Sequence, residues 1–247
     1  MSRINSIGCS ALLGALLAAG AVRADLAPDA VLAIHSNNQN SVLMLSGSLK
    51  FMCGHCNKVH EAQVEGPATV VDAHGLLITS SSTVQIPLAD RKMEIRESTV
   101  MAMLPSGKEV PMRVVLTDGD LDAVLLAPEN PAGIAAGMFL PVRWDNAAKA
   151  QAMDGVVIVG RMDKNYGGVP DSAPAKINAV DTKPRTLYIC ATLASGDGEA
   201  AFNGAGQLIG IGLGPQTIVA AEELQDVIEQ ARRVIAKGAA KKPATKE

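Results

Sequence analysis

A chain of 247 residues with 48% hydrophobic content can bury a sizeable core, as one large domain or two small ones. Only six residues are aromatic (Phe51, Phe139, Trp144, Tyr166, Tyr188 and Phe202), too few to build stacking surfaces for single-stranded nucleic acid or sugars. The formal charge is −3 and no basic stripe is present, which argues against a nucleic-acid partner.

Residues 1–24 read as a secretory signal. Arg3 supplies the positive start, Ala11 to Ala21 is an apolar run too short to span a bilayer comfortably, and Val22-Arg23-Ala24 offers small residues for cleavage. Removal before Asp25 takes Arg3 and Arg23 with it and leaves a charge of about −5. Cys9 precedes the apolar run rather than following it, so a lipid anchor is rejected. The expectation is an exported protein, periplasmic or extracellular, with no membrane anchor after cleavage.

Residues 25–37 carry a short helix signal, with Pro28 near its start. From Ser41 the period changes to that of strands. Val42 to Leu45 is one apolar run, and 67–79 reads as two strands around a turn at Asp72–Gly75. Further runs recur at 99–104, 110–116, 122–127, 156–160, 175–180, 186–193, 207–211 and 217–220, separated by turns such as Pro105-Ser106-Gly107 and Asp118-Gly119. Many short strands at this spacing suggest an all-β barrel or sandwich. Residues 130–150 look like a linker between two strand-rich halves. Glu222 to Lys237 has helical periodicity with Gly238 to stop it, and 238–247 reads as a disordered tail.

Three motifs carry the functional reading. In 193–212, Ser195-Gly196-Asp197-Gly198 is a glycine-rich loop whose backbone N–H groups suit an anion or a carbonyl oxygen; such loops alone are most often plain turns. A buried, glycine-flanked strand follows. The segment resembles, without a gap, the nucleophile loop of trypsin-fold serine proteases of the HtrA type, L-P-G-N-S-G-G-P-L-F-N-x-x-G-x-(V/L)-I-G-I. Leu193, Gly198, Phe202, Asn203, Gly206, Ile209, Gly210 and Ile211 match it. Asp197 stands in the serine's place, and Glu199 and Ala200 replace the following glycine and proline. Residues 66–84 resemble the family's histidine segment through Gly66, Val70, Val71, Asp72, Gly75, Thr79 and Val84, with Ser82 at the histidine position. Residues 118–126, DGDLDAVLL, resemble the aspartate segment, with Asp122 at the orienting position and Asp120 a lesser candidate.

The resemblance covers about residues 40–235 and implies an all-β fold of two antiparallel barrels, at about 40–129 and 138–221, closed by a helix at 222–237. It leaves no room for the PDZ domain that many HtrA proteins carry. It also implies that Ser82, Asp122 and Asp197 meet at a triad position. Acyl transfer needs a nucleophile with an adjacent base, and serine cannot replace imidazole as a neutral-pH base. The implied function is an inactive protease homologue that binds peptide or protein, with Ser195, Gly196 and Gly198 presenting backbone to the ligand, or that serves as a scaffold. An active protease with a displaced catalytic set, using Ser195, is the enzymatic alternative.

The remaining chemistry is in residues 51–61, FMCGHCNKVHE. Cys53 and Cys56 are expected to form a small disulfide in an insertion between the first two strands. Two alternatives stay open. One is zinc held by Cys53, Cys56 and His60, with a fourth ligand from His35, His74 or Cys190; the other is a redox-active thiol pair. The protease-like reading itself requires no cofactor. Cys190, in a strand-like run, reads as a buried apolar thiol.

Overall fold

The computed structural model describes residues 26–85, 94–193 and 197–241. The signal sequence expected over 1–24, the pair Ser195-Gly196 and residues 242–247 of the tail lie outside them. The first helix, α1 (Pro28–Asn38), forms as the sequence predicts, with proline in its first turn. It rests on the second half of the chain and buries Ile34.

The first sheet contains β1 (Val42–Met52), β2 (Val59–Val70), β3 (Leu77–Ser80), β4 (Glu94–Ser98), β5 (Met101–Met103), β6 (Glu109–Asp118) and β7 (Ala123–Pro128). Its order is β2-β3-β7-β6-β5-β1, and a β1–β2 pairing closes the ring into a six-stranded barrel. β4 lies outside that ring, on β1. This strand carries no apolar signal because EIRES is an edge: its charges face outward, with Lys50 Nζ 2.6 Å from Glu97 and Arg96 2.9 Å from Glu94.

The second sheet has the order β10-β11-β14-β13-β12-β8-β9 and curls without closing. Its strands are β8 (Gly155–Arg161), β9 (Pro170–Lys176), β10 (Ala179–Asp181), β11 (Leu187–Ile189), β12 (Asp197–Asn203), β13 (Leu208–Leu213) and β14 (Thr217–Ala220). β9 begins earlier than its apolar run suggests. Pro170 and Pro174 fit there because β9 is an edge strand and lacks a partner on one side.

Side-chain alternation sorts the core into three parts. Leu43, Leu45, Leu77, Met112 and Leu126 fill the first barrel, and Val156, Ile158, Tyr188, Ala201 and Ile209 fill the second. The opposite faces of the same strands, with Ile78, Leu125, Val157, Val159, Phe202 and Ile211, pack the barrels against each other. The segment 130–150 wraps this seam rather than hanging free: Phe139 and Val142 are buried, and Trp144 Nε1 donates to the Val71 carbonyl at 3.0 Å.

α2 (Ser81–Val84) is a single turn after β3, and α3 (Gln225–Lys241) packs on β6 and β7 through Val227, Ile228 and Ala231. α3 corrects one expectation. The helix passes through Gly238 to Lys241 instead of stopping there, since an internal glycine costs a helix only about 1 kcal/mol and two alanines follow. Among the described residues no helix is long and apolar enough to cross a membrane.

Candidate functional site

The site lies where β12 of the second sheet crosses β2, β3 and α2 of the first. β3 is buried along its length and ends at Ser80, whose hydroxyl caps α2 by accepting from Thr83 N at 3.4 Å. Gln85, at φ 51°, ends that turn. The run of serines is therefore a capped helical turn that carries Ser82 at an exposed position facing β12.

Asp122 sits immediately before β7 in the left-handed region, φ 55°. The carboxylate of Asp118 shapes the preceding turn by accepting from Asp120 N and Leu121 N, each at 3.0 Å. Asp122 then accepts twice from Ser81, at its carbonyl from the backbone N–H (3.2 Å) and at its carboxylate from the hydroxyl. Gly214, at the β13–β14 turn, closes this side; a Cβ there would lie 3.9 Å from Asp122 Oδ2. Asp120 points away to Arg185, 3.8 Å distant.

Asp197 opens β12, so the stretch expected as a glycine-rich loop is a strand from that residue onward. Its carbonyl accepts from the hydroxyls of Thr79 and Thr83, both at 2.7 Å. Its carboxylate accepts from Ser82 Oγ, which is also hydrogen-bonded to Ser80 Oγ. The three predicted positions do converge, with one change. Ser82 meets Asp197 directly, whereas Asp122 reaches Ser81 rather than Ser82.

The chain has four histidines, and none of them partners this cluster among the described residues. His35 bonds Ser172 at 2.7 Å, His74 lies at the β2–β3 turn beside Asp72, and His55 and His60 belong to the tip of the β1–β2 hairpin. The acceptor nearest the Ser82 hydroxyl is thus a carboxylate, a far weaker base than imidazole.

Two residues have roles that motif reading does not reveal. Glu199 turns its carboxylate back to accept from Asp197 N at 2.8 Å. That N–H is therefore engaged within the strand. Gly198, expected to present its backbone to a ligand, is instead buried structure. At φ +114° its Cβ would fall 2.5 Å from the Pro67 carbonyl, and its own carbonyl accepts from Thr69 Oγ1 at 2.8 Å. That close inter-barrel approach is the reason for the glycine. Beside Glu199 lies a cavity of about 160 Å³ bordered by Ile158, Gly160, Arg161, Thr192 and Leu193.

The cysteine motif forms the tip of the β1–β2 hairpin, where Met52 pairs with Val59 and Phe51 with His60. Cys53 and Cys56 are free thiols, which corrects the expected disulfide. The turn directs both sulfurs toward an imidazole: Cys56 Sγ is 3.1 Å from His60 Nε2, and Cys56 N donates to Cys53 Sγ at 3.4 Å. Of the fourth ligands considered for a metal, His35 and His74 are engaged elsewhere and Cys190 is buried inside the second barrel.

No family model matches the chain, and no curated protein matches it. Among solved structures it is similar to one described as the HtrA-type protease AlgW with decapeptide. The identity is 15% and the TM-score 0.56, over 82% of this chain and 67% of that one. The fold is trypsin-like. Within that fold the Ser82–Asp197 contact occupies the seam between the barrels, and the expected double-barrel architecture with a C-terminal helix stands, its second sheet curled rather than closed.

Proposed function

We propose that this chain is an exported, catalytically inactive trypsin-fold protein that binds a peptide or protein segment in the cleft between its barrels. The observation that carries the reading is the hydrogen bond from Ser82 to Asp197. At the two positions that must hold a base and a nucleophile, the side chains satisfy each other and neither can activate an acyl transfer. Glu199 adds a second obstacle by occupying a backbone donor and placing negative charge where an oxyanion would develop.

The surface offered for binding lies on the second-barrel side of the seam, where β8, β9 and β12 border a cavity beside Glu199. The cavity beside Glu199, about 160 Å³, suits one peptide side chain and falls well short of the roughly 300–1,000 Å³ of small-molecule sites. Asp197 and Glu199 favour a ligand that brings a positive charge or amide donors to this point. The solved structure to which the chain is similar carries a decapeptide, which supports a peptide as the ligand class here. Export rests on the character of residues 1–24.

The test is to pan a displayed random-peptide library on the immobilised mature chain and titrate the enriched sequences. The expected result is a shared motif rich in Lys or Arg, bound at least about tenfold more weakly by Asp197→Arg. Enriched peptides indifferent to that substitution, or no enrichment, overturn the reading.

A further inference from the structure

We propose that the tip of the β1–β2 hairpin is a zinc site, with Cys53 Sγ, Cys56 Sγ and His60 Nε2 as protein ligands and solvent in the fourth position. The three ligand atoms all lie within 4.8 Å of one another. Tetrahedral zinc with ordinary Zn–S and Zn–N bonds places such atoms about 3.6–3.8 Å apart, so closing around the ion requires shifts of about an ångström or less.

The turn holds both sulfurs in place. Cys56 N–H points at Cys53 Sγ (3.4 Å), a contact that spreads the negative charge a bound thiolate carries. Cys53 N donates to the Lys58 carbonyl and Asn57 N to the Cys53 carbonyl, both at 2.9 Å, which fixes the loop between the two sulfurs. Asn57, at φ 54°, makes the left-handed step that reverses the chain after the second cysteine. His60 is oriented independently. Its ring stacks on Phe51, its cross-strand partner, with centroids 5.7 Å apart and planes 22° from parallel.

Two sulfurs and an imidazole form a soft donor set that selects zinc over calcium or magnesium. On binding, each thiol releases its proton to solvent and donates a sulfur lone pair to the ion; no oxidant or reductant takes part. The consequence is a clamp on a hairpin that extends beyond the barrel. It also withholds the exposed Cys56 thiol and the half-buried Cys53 thiol from oxidation.

The experiment uses the mature chain from Asp25, reduced and stripped of metal. Zinc is titrated against a chromogenic chelator, cobalt is added separately to read thiolate-to-metal charge transfer, and thiols are alkylated with and without zinc. The expected result is about one zinc per chain, protection of Cys53 and Cys56 from alkylation, and a cobalt spectrum with two thiolate ligands. Cys53→Ser, Cys56→Ser and His60→Gln each lower zinc affinity by about 100-fold or more, while His55→Gln leaves it unchanged. Circular dichroism of each variant shows whether the barrels persist, which separates loss of the site from loss of the fold. No zinc uptake by the reduced chain, or uptake unaffected by His60→Gln in a folded variant, overturns the proposal.

Discussion

Ser82 and Asp197 stand 115 residues apart in the chain and meet across the barrel seam as hydrogen-bond donor and acceptor. Each is the other's partner, and the proposal of an inactive seam rests on that pairing. It follows that restoring a serine alone does not restore activity. Asp197→Ser is expected to stay unreactive toward a peptidyl phosphonate, because no base adjoins it. The triple variant Ser82→His, Asp197→Ser, Glu199→Gly supplies base, nucleophile and a free Asp197-position N–H, and is expected to label slowly. Mass spectrometry after overnight exposure checks both outcomes.

Gly198 packs tightly against the first barrel. An alanine there places its Cβ 2.5 Å from the Pro67 carbonyl and 2.8 Å from Thr79 Oγ1, in a conformation with φ +114°. Backbone cannot yield as a flexible side chain does. Gly198→Ala is expected to cost about 2–4 kcal/mol of stability, read from urea unfolding of the purified protein.

Thr79 ties the same seam. Its hydroxyl lies 2.8 Å from the Pro67 carbonyl and 2.7 Å from the Asp197 carbonyl, and the residue is fully buried. Thr79→Val keeps the shape and removes the hydroxyl shared by the two carbonyls, while Thr83 still donates to Asp197. A loss of about 1–3 kcal/mol is expected by the same unfolding measurement.

The fold is legible in the sequence where burial on both faces imposes a pattern. Leu77 to Ser80 and Leu208 to Leu213 are such strands, and their flanking glycines mark turns and close approaches. The edges are not legible. β4 is charged at Glu94, Arg96 and Glu97 and β9 carries two prolines, so neither has the apolar signal of an inner strand. At the site, the convergence of residues 82, 122 and 197 is readable from motif order, but the partners are not. Whether Asp122 meets Ser81 or Ser82 depends on the rotation of a single helical turn. Glu199's bond to the backbone of Asp197 arises from the strand's path. The cysteine tip is the other case, since a C-x2-C spacing suits a disulfide and a metal equally until the sulfurs and His60 are placed.

Arg161 also joins the two halves. Its guanidinium donates to the carbonyls of Val42 (2.7 Å), Gln39 (2.9 Å) and Gly168 (3.3 Å), and burial pushes its pKa below the ordinary arginine value. Arg161→Ala leaves three carbonyls without this donor and is expected to destabilise the protein by about 2 kcal/mol. Arg161→Lys, which keeps the charge but not the fork, is expected to recover less than half of the loss. Thermal unfolding of the two variants beside the parent checks the ranking.

The claim that the seam cannot perform acyl transfer is tested most directly by treating the mature protein with a peptidyl phosphonate probe and mapping adducts by mass spectrometry. The account predicts no adduct on Ser80, Ser82 or Ser195 under conditions that fully label an active trypsin-fold protease. A covalent adduct on any of those serines, abolished by its substitution with alanine, would contradict it.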